Sequence, residues 1–262
     1  VAVTVAELVE ALERLVPRGL AEPWDNPGLQ VGDARAQVSR VLVALDAGVA
    51  QIQEAASSGS QALLTHHPLI FEPLKSVRLE EPLGAALGAA VREGVAVVCA
   101  HTNLDAAAWG VSQVLAELLG LEDVSPLEPS GGEGEGLGRV GNLPEPLGLE
   151  ALAGLCRERL SAAFVRCVAG RGGAITRVAV CGGSGGSLIS AALSAGAEAL
   201  ITGDVRYHQA REAEGRLALV DCGHFAGERP VLARLAERLR AELGGRVEVR
   251  VSGGERDPFK LY

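Results

Sequence analysis

Five histidines occur in the 262 residues, and each follows closely on a short apolar run. His66 and His67 follow Ala62-Leu63-Leu64-Thr65, and His101 follows Val95-Ala96-Val97-Val98-Cys99-Ala100. His208 comes after Ala199-Leu200-Ile201, and His224 after Leu217-Ala218-Leu219-Val220. Carboxylates stand at short spacings from them: Asp105 past His101, Asp204 ahead of His208, and Glu228 in His224-Phe225-Ala226-Gly227-Glu228. Imidazole and carboxylate together suit Zn, Mn, Fe, Co or Ni, and a set without thiolate is unlike a closed structural zinc site. His66, His67, Asp105, His224 and Glu228 are more ligands than one open catalytic ion takes from protein. A carboxylate can bridge a pair, so two divalent ions per chain are expected, and ions about 3.5–4 Å apart can hold a hydroxide between them. His101 and His208 are expected as proton-transfer groups or as partners that orient the ligands.

The adjacent pair sets a condition on the fold. Neighbouring side chains of an extended segment point to opposite faces, so His66 and His67 serve one site only where a strand ends and turns. Pro68 favours that by restricting the residue before it. In open α/β sheets the loops leaving the carboxyl ends of strands converge on a shared crevice, and four such loops would supply the histidines.

The elements that must do this can be read along the chain. Apolar residues at 5, 8, 9, 12, 15 and 16 give an amphipathic helix over 4–16, with Thr4 as N-cap and Glu7 completing a capping box. Asn26-Pro27-Gly28 demands a turn, and Trp24 is expected to pack it. Strand 39–45, helix 47–58, strand 61–65, helix 82–93, strand 95–100 and helix 110–119 follow. Continuous Val/Leu/Ile strands are those buried on both faces between helices. Residues 121–149, rich in Gly and Pro, read as a loop or hairpin connector. Then come helix 148–160, strand 163–168, strand 175–181, helix 186–195, strand 198–202, helix 206–214, strand 216–221, helix 228–242 and strand 246–251. The expectation is an α/β fold of two related lobes, 1–125 and 126–262, with room for the C-terminal tail to pack back on the first. Val178–Ser187 reads as strand, glycine turn and helix start. Gly183, Ser184 and Gly185 there are either a tight turn or an anion cradle at a helix N-terminus.

With 48% hydrophobic and 22% charged residues the chain can bury a sizeable core. No apolar run approaches the roughly 18–20 residues that span a bilayer, and the N-terminus lacks the pattern of a signal peptide, so a cytoplasmic location is expected. The net charge of −9 argues against nucleic acid bound through the bulk field. The five cysteines are odd in number and show no C-x-x-C spacing, which fits buried thiols better than a disulfide framework.

Trp24-Asp25-Asn26-x-Gly28-Leu29-Gln30-Val31-Gly32, Thr65-His66-His67-Pro68-Leu69-Ile70-Phe71, His101-Thr102-Asn103-Leu104-Asp105, Thr202-Gly203-Asp204 and Gly223-His224-x-x-x-Glu228 resemble, in order and spacing, the Nif3-like (YbgI-type) dinuclear metal-binding family, which carries the name GTP cyclohydrolase 1 type 2. The resemblance covers nearly the whole chain. It implies that His66, Asp105 and Glu228 hold one metal and His67, His224 and Glu228 the other, in a cleft between two lobes. It also implies a ring-like homo-oligomer, frequently a hexamer, acting on a small molecule such as a nucleotide. In the activity that the family name suggests, a metal-bridging hydroxide attacks C8 of the guanine ring of GTP. A second reading stays open: a metal-binding, ring-forming scaffold or regulatory protein without catalysis. The chain departs from the pattern at Trp109-Gly110-Val111-Ser112, where Gly-Gly-Val-Asn is expected, and at Gly227, where Thr or Ser is usual. Both bear on the pocket beside the ligands.

Overall fold

The chain enters its fold through β1 (Val3–Thr4) and α1 (Val5–Leu15), in a computed structural model that describes residues 2–260. The capping box forms: Thr4 Oγ1 accepts from Glu7 N (3.2 Å) and the Glu7 carboxylate accepts from Thr4 N (2.6 Å). Such a cap contributes about 1 kcal/mol, and it turns Val5, Leu8, Ala11 and Leu12 inward.

Next come β2 (Gly28–Val31), β3 (Gln37–Val38), β4 (Arg40–Ala44), α2 (Val49–Ser57), β5 (Ala62–Thr65), α3 (Pro82–Glu93), β6 (Ala96–Cys99), α4 (Thr102–Ala106) and α5 (Val111–Leu118). The chain continues through β7 (Glu122–Pro129), β8 (Gly136–Leu147), α6 (Leu149–Arg159), β9 (Arg166–Val168), β10 (Ile175–Val180), α7 (Ile189–Ser194), β11 (Ala199–Thr202), α8 (Tyr207–Ala213), β12 (Ala218–Asp221) and α9 (His224–Glu228). It closes with α10 (Val231–Glu242) and β13 (Glu248–Val251).

These elements make an α/β fold in two units. One reaches Leu104 and takes in Leu232–Arg256; the other is Asp105–Val231 with the segment after Arg256. The division differs from the boundary at 125/126 suggested by sequence. The C-terminal strand β13 lies parallel to β4, with Glu248 opposite Arg40, and so belongs to the first sheet, ordered β13-β4-β5-β6-β2. At the other boundary, α5 packs its Leu115 and Ala116 into the core of the second unit.

In the first sheet β4, β5 and β6 run parallel, and every residue of β5 and β6 is buried. On one face Leu42, Leu63 and Val97 meet Ile52 and Ala55 of α2 and Ala86, Ala89 and Ala90 of α3. The second sheet is ordered β7-β8-β10-β11-β12-β9, with β10, β11 and β12 parallel at its centre. Alternate residues feed its two faces, as the pleat requires. Val178, Val180, Ile201 and Val220 face α5 and α6, whereas Ala179, Leu200 and Leu219 face α7 and α8. Burying each Leu or Val contributes about 1.5–3 kcal/mol, which accounts for the apolar runs that mark these strands in the sequence.

Of the two readings of residues 121–149, loop or hairpin, the structure has the hairpin: β7 pairs antiparallel with β8. The prolines Pro126 and Pro129 are tolerated because β7 is the outermost strand of the sheet. At Gly136 (φ +142°) a Cβ would lie 2.2 Å from Glu128 O, so the glycine there closes the hairpin. The single helix expected over 228–242 is two, α9 and α10, parted at Arg229-Pro230. Proline lacks the N–H that would continue the first helix, and the break leaves Glu228 on the same short helix as His224.

Candidate metal centre

In the first unit the backbone ladder between β4 and β5 runs on past the strand: His66 N donates to Ala44 O (3.2 Å) and His67 N to Leu45 O (2.8 Å). Thr65 Oγ1 then donates to His67 O (2.8 Å), a local turn at the strand end. The two rings meet at a centroid distance of 5.1 Å, and the His101 ring, which follows β6, lies 5.3 Å from His66 and 5.8 Å from His67. One potential ligand atom from each of the three lies within 4.8 Å of the others.

Each ring is fixed through Nδ1. His66, fully buried, donates to Ala100 O (3.0 Å). His67 donates to Asp46 Oδ1 (2.8 Å), just beyond β4. His101 donates to Asp25 Oδ1 (2.8 Å). A carbonyl or an ionised carboxylate can only accept, so Nδ1 carries a proton in all three rings, and Nε2 is the atom that ligates in the neutral form. This is how proteins orient imidazole toward a metal. Burial alone would raise the Asp25 carboxyl, but hydrogen bonds from His101 and from the Thr102 hydroxyl and amide outweigh it and hold the group well below the usual carboxylate range.

The second unit builds its group differently. His224 opens α9 directly after β12, and its Nδ1 donates to Asp204 Oδ2 (2.8 Å), from the loop after β11. Its Nε2 lies 2.9 Å from Oε2 of the buried Glu228, one helical turn on. The main chain at Gly183, after β10, approaches so closely that a Cβ there would stand 2.1 Å from Glu228 Oε1 and 3.3 Å from His224 Nε2. Its φ of +60° is also one that side chains resist. Asp105, on α4, is near enough to Cys181 to act on it: the thiol is pushed up to about 12, by burial first and then by the charges of Asp105 and Glu228.

The residues singled out in the sequence thus fall into place unevenly. His66, His67 and His101 form one group, so His101 is a potential ligand as well as a proton-transfer group. His224 and Glu228 are paired, and Asp105 shares Cys181 as a neighbour with Glu228. His208 is exposed on α8 with its ring against Tyr207 (5.4 Å), and Asp204 serves His224. Gly183, Ser184 and Gly185 form a tight turn: Gly185 N donates to Thr202 Oγ1 (2.8 Å), which in turn donates to Gly183 O (3.2 Å). The following helix α7 is only six residues long. The amide that an anion cradle would offer at Gly185 is already used. The sequence assigned no role to Asp46, Asp25 or Arg139, although Asp25 stands in the Trp24-Asp25-Asn26 block. Asp46 shows the same signal as the histidines, a polar residue directly after an apolar strand. The buried Arg139 guanidinium donates to the carbonyls of Ala107, Gly134, Gly136 and Gly138, tying the hairpin to the segment just after Asp105.

The donor set fits borderline divalent ions: imidazole nitrogens with their second nitrogens tied back, and carboxylates beside them. Fold and donors together define an α/β protein with clustered histidine and glutamate able to bind metal. Residues 3–258 match the model of the family Duf34/NIF3 (NGG1p interacting factor 3), and the chain belongs to that family. A Clostridium perfringens protein named GTP cyclohydrolase 1 type 2 homolog is 32% identical over 261 residues, covering 97% of this chain and 98% of its own. A Nostoc protein of the same name is 42% identical over 206 residues, 78% of each chain. The crystal structure of a Bacillus cereus protein related to NIF3 superposes with a TM-score of 0.93 at 24% identity over 99% of both chains, a likeness of fold. Among the described residues no helix is long and apolar enough to cross a membrane.

Proposed function

We propose that this chain is a dinuclear metal-dependent hydrolase. His66, Asp105 and Glu228 would hold one divalent ion and His67, His224 and again Glu228 the second. The observation that carries the reading is the imidazole group of the first unit, in which Nδ1 of His66, His67 and His101 is spent on an acceptor and the three rings cluster at metal-ligand spacing. Bound there, paired ions supply activated water and draw charge from the electrophile. The protein's own part is to orient and to move a proton. Asp25 holds His101 with Nδ1 protonated, so Nε2 is the atom that accepts a proton from the attacking water and returns it to the leaving group. Asp46 and Asp204 hold His67 and His224 in the same sense.

The name carried by the Clostridium perfringens and Nostoc relatives suggests GTP as substrate, opened at C8 of the guanine ring to a formamide. A homo-hexamer is part of the same proposal and is checked by light scattering. The decisive experiment is elemental analysis of the wild type beside His67→Ala and Glu228→Ala, with a hydrolase screen of the metal-replete protein that includes GTP. About two ions per chain, falling in both variants together with turnover, is the expected result. Ions without turnover on any substrate would favour a non-catalytic metal-binding scaffold. No metal after reconstitution would overturn the proposal.

A further inference from the structure

The turn at residues 24–30 is expected from sequence to pack around Trp24. The indole is instead 58% exposed, and the ring nearest to it, Phe71, is 49% exposed. Adjoining apolar surface left in solvent and rimmed by polar residues marks a binding site, whereas hydrophobics scattered singly do not. Here the surrounding polar side chains are committed to holding the rings in place. Asn26 Nδ2 donates to Ile70 O (2.7 Å), Gln30 Oε1 accepts from Ile70 N (2.8 Å), and Gln30 Nε2 donates to Asn26 O (2.6 Å). Asp25 fixes the same turn to His101 and Thr102. Two irregular loops are thereby stapled together next to Trp24 and Phe71, neither of which adds much to the core.

The rings stand 5.7 Å apart at 56°, too tilted to stack on one another, and each keeps ring surface open. Both border His101, at 6.2 Å from Trp24 and 6.3 Å from Phe71. We infer that Trp24 and Phe71 form an aromatic wall that binds a planar heteroaromatic ring of nucleobase size beside His101, one ring stacking on its face and the other meeting its edge. The inference rests on the hydrolase reading of the same site and deepens it by naming the residues that select the substrate class. A planar ring matches the wall for a physical reason: base–aromatic stacking is strong, tolerant of base identity, and needs no hydrogen-bond partners on the protein.

The test uses three ligands that share a sugar phosphate: guanosine 5′-monophosphate, adenosine 5′-monophosphate and the ringless ribose 5-phosphate. The chain has two tryptophans, so in a Trp109→Phe background the emission reports Trp24. Both nucleotides should quench it saturably and ribose 5-phosphate should not. In equilibrium dialysis Trp24→Ala and Phe71→Ala should each raise the nucleotide Kd by about 5- to 150-fold, with metal content and unfolding midpoint retained. Trp24→Phe should restore most of the affinity, which a merely apolar contact would not require. Equal binding of ribose 5-phosphate, or unchanged nucleotide affinity in both alanine variants, overturns the inference. So does a change in assembly size with nucleotide affinity intact, which would make the wall a protein contact. Ring-dependent binding without wild-type turnover would sink the hydrolase and leave the wall standing. Turnover with KM unchanged in both variants would do the reverse.

Discussion

At the carboxyl end of the parallel strands of the first sheet three imidazoles are oriented through Nδ1 by acceptors on neighbouring strands and loops, whereas at the same end of the parallel strands of the second sheet one imidazole, held in the same way by Asp204, stands beside a buried glutamate crowded by glycine backbone. The first group is imidazole alone. The second adds a carboxylate packed against Gly183. The difference shows that such an edge fixes where chemistry sits but not which donors sit there.

The comparison can be broken most severely at Glu228. Glu228→Ala removes the buried carboxylate and leaves His224 Nε2 without its 2.9 Å partner. Metal content measured by elemental analysis is expected to collapse, by more than the roughly 10- to 100-fold affinity loss typical of removing an outer partner. Next is Gly183→Ala. Its new methyl meets Glu228 Oε1, and its backbone must stay at φ +60°, so unfolding in denaturant should show a loss of about 1–2 kcal/mol from the backbone alone. Metal content should drop with it. If the protein loses stability but keeps its ions, the second group is not set by glycine packing. Asp46→Ala should act the other way, weakening metal by about 10- to 100-fold in a competition titration while the unfolding midpoint hardly moves. The smallest effect is expected from His208→Ala: exposed on α8 with its ring against Tyr207, it should leave metal content and any turnover within about twofold, since exposed surface substitutions stay near ±0.5 kcal/mol.

Much of this was legible in the sequence because strands buried on both faces read as unbroken apolar runs, and β5, β6, β11 and β12 are of that kind. The histidines could be found because each comes soon after such a run. Asp25 and Asp46 were harder to see. Their role depends on which strands are neighbours, and the pairing of β2 with β6 and of β4 with β5 has no local signature. The glycines after β10 left two readings open for a related reason: a turn that makes room for Glu228 and one that cradles an anion need the same residues. Trp24 ran against the rule that large apolar residues go inside. The sequence marks an indole at a turn but cannot say whether it is a plug or a platform.

The pairing of β13 with β4 has a consequence for how the molecule is made. Glu248 and Arg40 face one another across 208 positions of chain, and everything from Asp105 to Val231 lies between them as a separate unit. On a ribosome adding residues from the N-terminus, the later-encoded second sheet has all its strands before the first sheet has its last. The half with the three-imidazole group is thus begun first and finished last, and during that interval β4 waits with one edge unpaired.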